Sequence, residues 1–227
     1  MRTKTLLLSA VALAAGLLSS QAQSNVYSAN IVGYVSVVSL ANSNTPIANP
    51  LDLDGANIIT NVLANTPNGT LVQIWNGAGF TAVSRSAFGS GAWSANAAGI
   101  SIPPGKGFFL KTPVTFTNVF VGSVIPANGG TNNVALQAGV LQFVGSVLPV
   151  GGTITNSVDQ GVNALNLGSA LDKGSLIQVW NGAGYTAASR GSFGAGTWSS
   201  NLTFSVGQAF FVKASTSTNW TQSLNLQ

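Results

Sequence analysis

Beyond its apolar start, the chain alternates apolar and polar positions in short runs, each bounded by Gly, Pro, Asn or Ser. That rhythm is the signature of short, half-buried strands joined by tight turns. Asn25 to Leu40 is rich in Val, Tyr and Ile and predicts one or two strands, with Gly33 as a bulge position. Asn42 to Pro50 reads as a polar loop. The period then changes: Ile58, Ile59, Val62 and Leu63 share one face of a short helix, with Asn57 as its N-cap and Thr66-Pro-Asn-Gly69 as its stop. Leu71 to Trp75 and Phe80 to Arg85 form the arms of a hairpin around Asn76-Gly-Ala-Gly79, where Asn and Gly tolerate positive φ. Gly89 to Gly99 is a small-residue loop around Trp93, followed by strands at Phe108 to Lys111 and Thr115 to Val124.

The hairpin and the loop after it occur twice. Leu71 to Asn96 and Leu176 to Asn201 align without a gap and agree at 17 of 26 positions. Self-similarity of this kind marks a duplicated structural unit. The other elements return in the same order. Asp159 to Asn163 parallels Asp54 to Asn57, ahead of a helical pattern around Leu165 and Leu171. Val206-Gly-Gln-Ala-Phe-Phe-Val-Lys213 matches Pro104-Gly-Lys-Gly-Phe-Phe-Leu-Lys111, and Trp220 to Leu224 corresponds to Phe116 to Phe120. Val144-Gly-Ser-Val147 echoes Val32-Gly-Tyr-Val35 and Val121-Gly-Ser-Val124. The expected fold is mainly β: two tandem homologous units, residues 23–127 and 128–227, each β-sandwich or barrel-like with one short helix. The units either stand apart or share one continuous sheet.

The start of the chain is of a different kind. Arg2 and Lys4 precede an apolar run from Leu6 to Leu18, and Ser20-Gln21-Ala22 supplies small residues at a cleavage spacing. Residues 1–22 read as a secretory signal peptide, and no later run is long enough to predict a transmembrane helix. Export to the periplasm, the cell surface or the medium follows as an expectation. Without the leader, six cations face four Asp, a net charge of about +2 with no basic stripe for a phosphate backbone, so nucleic acid is not an expected partner. Charged residues make up only 5% of the chain, which leaves a surface of amides and hydroxyls that repels neighbours weakly.

The same composition narrows the chemistry. With no His or Cys, no Ser–His or Cys–His nucleophile pair can be built, and with no Glu a paired-carboxylate hydrolase would depend on scattered Asp residues. The chain therefore reads as a non-enzyme with no catalytic residue, no cofactor and no metal site. Asp52-Leu-Asp-Gly-Ala-Asn57 has the alternating oxygens of a calcium loop but lacks its closing Glu, and reads as an Asx turn. An outer-membrane barrel lacks its aromatic girdles and its terminal aromatic residue.

What the copies share supplies the candidate contact residues. Asp54 and Asp159, Arg85 and Arg190, and Lys111 and Lys213 occupy matched positions. The expected role is an Asp–Arg bridge between the helix entry and the hairpin, with Lys at a strand edge; the functional counterpart is a grip on an anionic ligand. Trp75 pairs with Trp180, Trp93 with Trp198 and Phe88 with Phe193, as core aromatics or as exposed stacking surfaces. Of these, Trp93 and Trp198 in their Gly-rich loops are the better candidates for exposure.

Through Asn30-Ile-Val-Gly-Tyr-Val35, Pro104-Gly-Lys-Gly-Phe-Phe-Leu-Lys111 and Val121-Gly-Ser-Val124, the chain resembles a loose group of exported β-rich repeat proteins of environmental bacteria. The resemblance implies export and a β-rich fold and lends no site residue. The expected function is that of a secreted or cell-surface structural or adhesion module, in contact with itself or another extracellular protein. The alternative is a carbohydrate-binding protein that uses Trp93, Trp198, Trp75 and Trp180 with Asn side chains, Arg85 and Arg190 beside them, on a polysaccharide.

Overall fold

The computed structural model describes residues 32–125, 131–155 and 160–225. The expected signal peptide, residues 25–31 of the predicted first strand, and Asp159 lie outside them. The protein is mainly β, with antiparallel sheets and, among the described residues, two four-residue α-helices, one in each half. In the first half, β1 (Val32–Ser39) pairs with β6 (Phe116–Ser123) as a two-stranded ribbon. β2 (Thr45–Ala48), β5 (Gly107–Lys111), β3 (Leu71–Trp75) and β4 (Phe80–Ser84) form an open four-stranded sheet in that order. The helix α1 (Ile59–Val62) lies between β2 and β3 in the chain.

The second half repeats the plan. β7 (Thr131–Leu136) pairs with β14 (Thr218–Ser223), and β8 (Leu141–Gly145), β13 (Ala209–Lys213), β10 (Leu176–Trp180) and β11 (Tyr185–Ser189) form the sheet. Its helix is α2 (Leu167–Ala170), and β9 (Gly152–Thr153) with β12 (Thr203–Phe204) adds a short extra pair. Among the described residues no sheet draws strands from both halves. The sheets are open, which makes each half a sandwich of sheet and ribbon rather than a barrel.

Turn chemistry fixes the repeated hairpin. Asn76 Oδ1 accepts from the backbone N–H of Ala78 and Gly79 at 3.1 and 2.8 Å, and Gly77 takes φ +100°. Asn181 does the same with Ala183 and Gly184, beside Gly182 at φ +101°. Strand alternation then builds three cores. Val72, Ile74, Phe108 and Leu110 point from the first sheet towards Val35 and Phe120 of the ribbon. Ile177, Phe210 and Val212 do so towards Leu136 and Trp220. The opposite faces of the two sheets meet in a third core of Ala48, Phe109, Phe143, Ala209 and Phe211. Each Phe-Phe dipeptide thus serves two cores, since neighbouring residues of a strand face opposite ways.

The third core is related by a pseudo-two-fold axis. Ile47 bridges Gln208 and, at the matched position, Val144 bridges Lys106. Ala48 N–H donates to Gly207 C=O at 2.9 Å, and Gly145 N–H to Gly105 C=O at 3.0 Å. Small residues permit this approach: a Cβ on Gly145 would lie 2.3 Å from the Ala48 Cβ, and one on Gly107 would lie 3.0 Å from that of Ala209.

Five expectations change. The stretch from Asn42 to Pro50 is not a loop throughout, because Thr45–Ala48 forms β2. Gly33 is no bulge; it pairs in register with Gly122, and Leu51 packs where its side chain would be. Asn57 does not cap α1, whose N-cap is Ile58; its amide is drawn to Asn49, Leu53 and Asp52 instead. The Val-Gly-x-Val echoes are not equivalent in space, because Val144-Gly145 sits in β8, the counterpart of β2. Trp220 matches Asn118 rather than Phe116: each lies opposite a Val (Val134 and Val37) two residues into its strand.

Candidate functional site

The matched arginines are internal staples. Arg85 donates through Nε to Gly91 C=O at 2.9 Å and through Nη1 to the carbonyls of Ala64, at 2.7 Å, and Thr66. Arg190 reproduces this on Gly196 at 2.9 Å, Gly168 at 3.1 Å and Leu171. Each guanidinium thereby ties the short helix or the residues just after it to the loop after the hairpin. The expected bridge from Asp54 to Arg85 is absent: Asp54 is exposed in a left-handed conformation, while the guanidinium is committed to carbonyls. Asp52 makes the expected Asx turn, its Oδ2 accepting from Gly55 N–H at 3.1 Å. Lys111 and Lys213 sit at the ends of β5 and β13.

The four matched tryptophans are half-buried. Trp93 and Trp198 pack against the cores of their own halves as lids, their backbones bridged to Arg85 and Arg190. Trp75 and Trp180 belong to the third core. Trp75 meets Phe211 edge-on with centroids 5.4 Å apart, and Trp180 meets Phe109 at 5.8 Å. Trp75 Nε1 donates to Leu141 C=O at 2.8 Å, whereas Trp180 Nε1 is buried without a partner. Tyr185, against Trp180 and Phe211, has its phenol pKa pushed up by burial. The structure thus gathers Trp75 and Trp180 at one junction and keeps Trp93 and Trp198 in separate halves.

Exposed aromatics lie elsewhere. Phe88 and Phe193, at matched loop positions, are 86% and 92% exposed. A larger apolar surface covers the outer face of the β1–β6 ribbon, where Val32, Tyr34, Val38, Val119 and Val121 are all exposed. On β6, Val119 and Val121 lie opposite Ser36 and Tyr34 of β1. The same face of the β7–β14 ribbon carries Asn133, Ala135, Asn219 and Thr221. On the sequence alone, the strand from Asn25 to Leu40 offers an edge to a neighbouring chain, while Val119 and Val121 go unnamed as contacts. The signal was there: Val32 to Val38 is apolar on both of its alternating faces, more than one core can cover.

The ribbon also has an open edge. Asp52 and Ser123 exchange backbone hydrogen bonds, at 2.9 and 2.8 Å, on the side of β6 away from β1. By strand alternation Val121, Val119 and Thr117 present N–H and C=O groups to that side. Among the described residues no strand pairs with them. Between this edge and α1 runs a groove of about 390 Å³ lined by Asn49, Leu53, Asn61, Val62, Asn65 and Asn118, among others. No protein-family model, curated protein or solved structure matches this chain.

Proposed function

We propose that the protein is an exported structural or adhesion module that associates with copies of itself through the outer face of the β1–β6 ribbon. The observation that carries this reading is the contrast between the ribbons: Val38, Val119 and Val121 on one stand where the other has Ala135, Thr221 and Ser223. The shared scaffold requires no apolar residue on that face, since the second ribbon does without. Covering a Val- or Leu-sized side chain completely contributes about 1.5–3 kcal/mol, so several together favour association. The near absence of charge, 5% of residues, removes the repulsion that keeps ordinary surfaces apart. The leader-like residues before Gln23 support export. Without His, Cys or Glu, the chain offers contact rather than catalysis.

The test is sizing and negative-stain microscopy of residues 23–227 over a concentration series. Oligomers or filaments that grow with concentration are expected. The triple variant Tyr34→Ser, Val119→Thr, Val121→Ser, which leaves every core residue in place, should remain monomeric. A wild-type chain that stays monomeric at the highest concentration overturns the reading.

A further inference from the structure

The inner side of the same ribbon differs between the halves in a second way. In the second half Trp220 is fully buried, and its Nε1 donates to Leu165 C=O at 2.6 Å, close to α2. The indole fills the space between β14 and the helix. In the first half the matched residue is Asn118, a much smaller side chain. It is 3% exposed, and its Nδ2 has no hydrogen-bond partner. The space that an indole fills in one half is an open groove in the other, with a buried, unused donor on its wall.

A buried amide without a partner is destabilising, so the site is stabilised by whatever supplies an acceptor. Three features define that acceptor. Thr117, Val119 and Val121 offer backbone donors and acceptors at the two-residue repeat of a strand, about 6.8 Å. The lining holds no charged side chain; its polar groups are amides and a hydroxyl. Val62 and Leu53 give it an apolar wall. A free strand edge with a side-chain pocket beneath it is the arrangement that accepts an added strand. A sugar would need an open aromatic face, whereas the aromatics here, Phe116 and Phe120, are half-buried and buried.

We propose that this groove binds an extended, uncharged polypeptide strand. The strand pairs with Thr117 to Val121 along the open edge of β6, and one of its carbonyl groups accepts from Asn118. This site is separate from the outer face: its loss leaves Tyr34, Val119 and Val121 side chains available for self-association.

The probe is an end-blocked heptapeptide, Asn-Val-Tyr-Ser-Ala-Asn-Ile, uncharged and β-patterned, titrated into residues 23–227 and followed by backbone amide NMR and calorimetry. Saturable binding is expected, with the shifts and slowed hydrogen exchange centred on Thr117, Val119 and Val121. Asn118→Trp, which places in the first half the residue found in the second, should bind at least about tenfold more weakly and melt no lower than wild type. Val119→Pro removes one edge donor at a position where an edge strand tolerates proline, and should weaken binding as well. Peptide binding that both variants retain overturns the proposal. So does the absence of any shift at these amides, or their response to a neutral oligosaccharide in place of the peptide. In any of these three failures, concentration-dependent assembly of Asn118→Trp would still uphold the outer-face contact.

Discussion

Arg85 and Arg190 spend their charge on neutral acceptors. Three carbonyls converge on each guanidinium, and among the described residues no carboxylate takes part. Hydrogen bonds to a charged donor contribute about 1.5–3 kcal/mol each when buried, and less when part-exposed as these are. Arg85→Ala should therefore lower the unfolding free energy by about 2–3 kcal/mol in urea titrations. Because no ion pair is broken, the loss should be nearly the same at low and high salt. A loss that shrank markedly with salt would show that a carboxylate had been the partner after all. Arg85→Lys should recover little, since a single ammonium cannot span the fork of acceptors. The sequence marks these positions as important through their repetition, yet repetition could not tell an ion pair from a carbonyl staple. The acceptors are backbone atoms, and backbone atoms leave no trace in residue identity.

At the scale of elements, the small residues of β2, β5, β8 and β13 control how closely the sheets approach. Gly145→Ala would set its new methyl against the Ala48 Cβ and 3.0 Å from Gln208 C=O. Overpacking of this sort costs about 1–3 kcal/mol. Ala48→Gly, added to it, should return most of the lost stability, a coupling that a double-mutant cycle by denaturant titration measures directly. Additive losses would mean that the two methyls do not meet. The hairpins were legible in the sequence because Asn-Gly turns state their geometry locally. The strand equivalences were less so. Trp220 aligns by eye with Phe116, both being aromatic, but the pairing register sets it against Asn118. The connections from β5 to β6 and from β13 to β14 are equally long, so the spacing that matches Lys111 with Lys213 also matches Asn118 with Trp220, but an amide and an indole share nothing that draws the eye. The β6 groove stayed invisible for the same reason, since it exists only by comparison with the correct partner.

For the whole molecule, two sets of contacts decide whether the halves behave as one: the third core, and Val147, Leu148 and Leu224 of the second half, which pack into the first core. The second half has its own core, while Phe109 and Phe143 lie 4.8 Å apart across the junction, with Trp75, Phe80 and Tyr185 around Phe211. Wild type should unfold in a single calorimetric transition. Phe211→Ala, at a cost of about 3–5 kcal/mol, should split that transition in two while leaving both larger cores folded. Two transitions already present in wild type would show that the junction does not couple the halves. The mainly β class and the duplicated plan were evident from alternation and repetition. The junction was not, because Phe108-Phe109 and Phe210-Phe211 read as one apolar run until the strand pleat divides it between two cores.

The small residues at that junction are also unequal. The first half places Ala in β2 and Gly in β5, and the second places Gly in β8 and Ala in β13. Each methyl of one half faces a hydrogen of the other. If the first half were joined to a second copy of itself about the same axis, two Ala48 methyls would compete for one place, and two Gly107 positions would face each other across a gap. Two copies of the second half would be mismatched in the reverse sense. The descendants of one duplicated unit have thus become mutually dependent. A longer array could grow only by copying the pair, and a recombination that overwrote one half with the other would erase the fit between them.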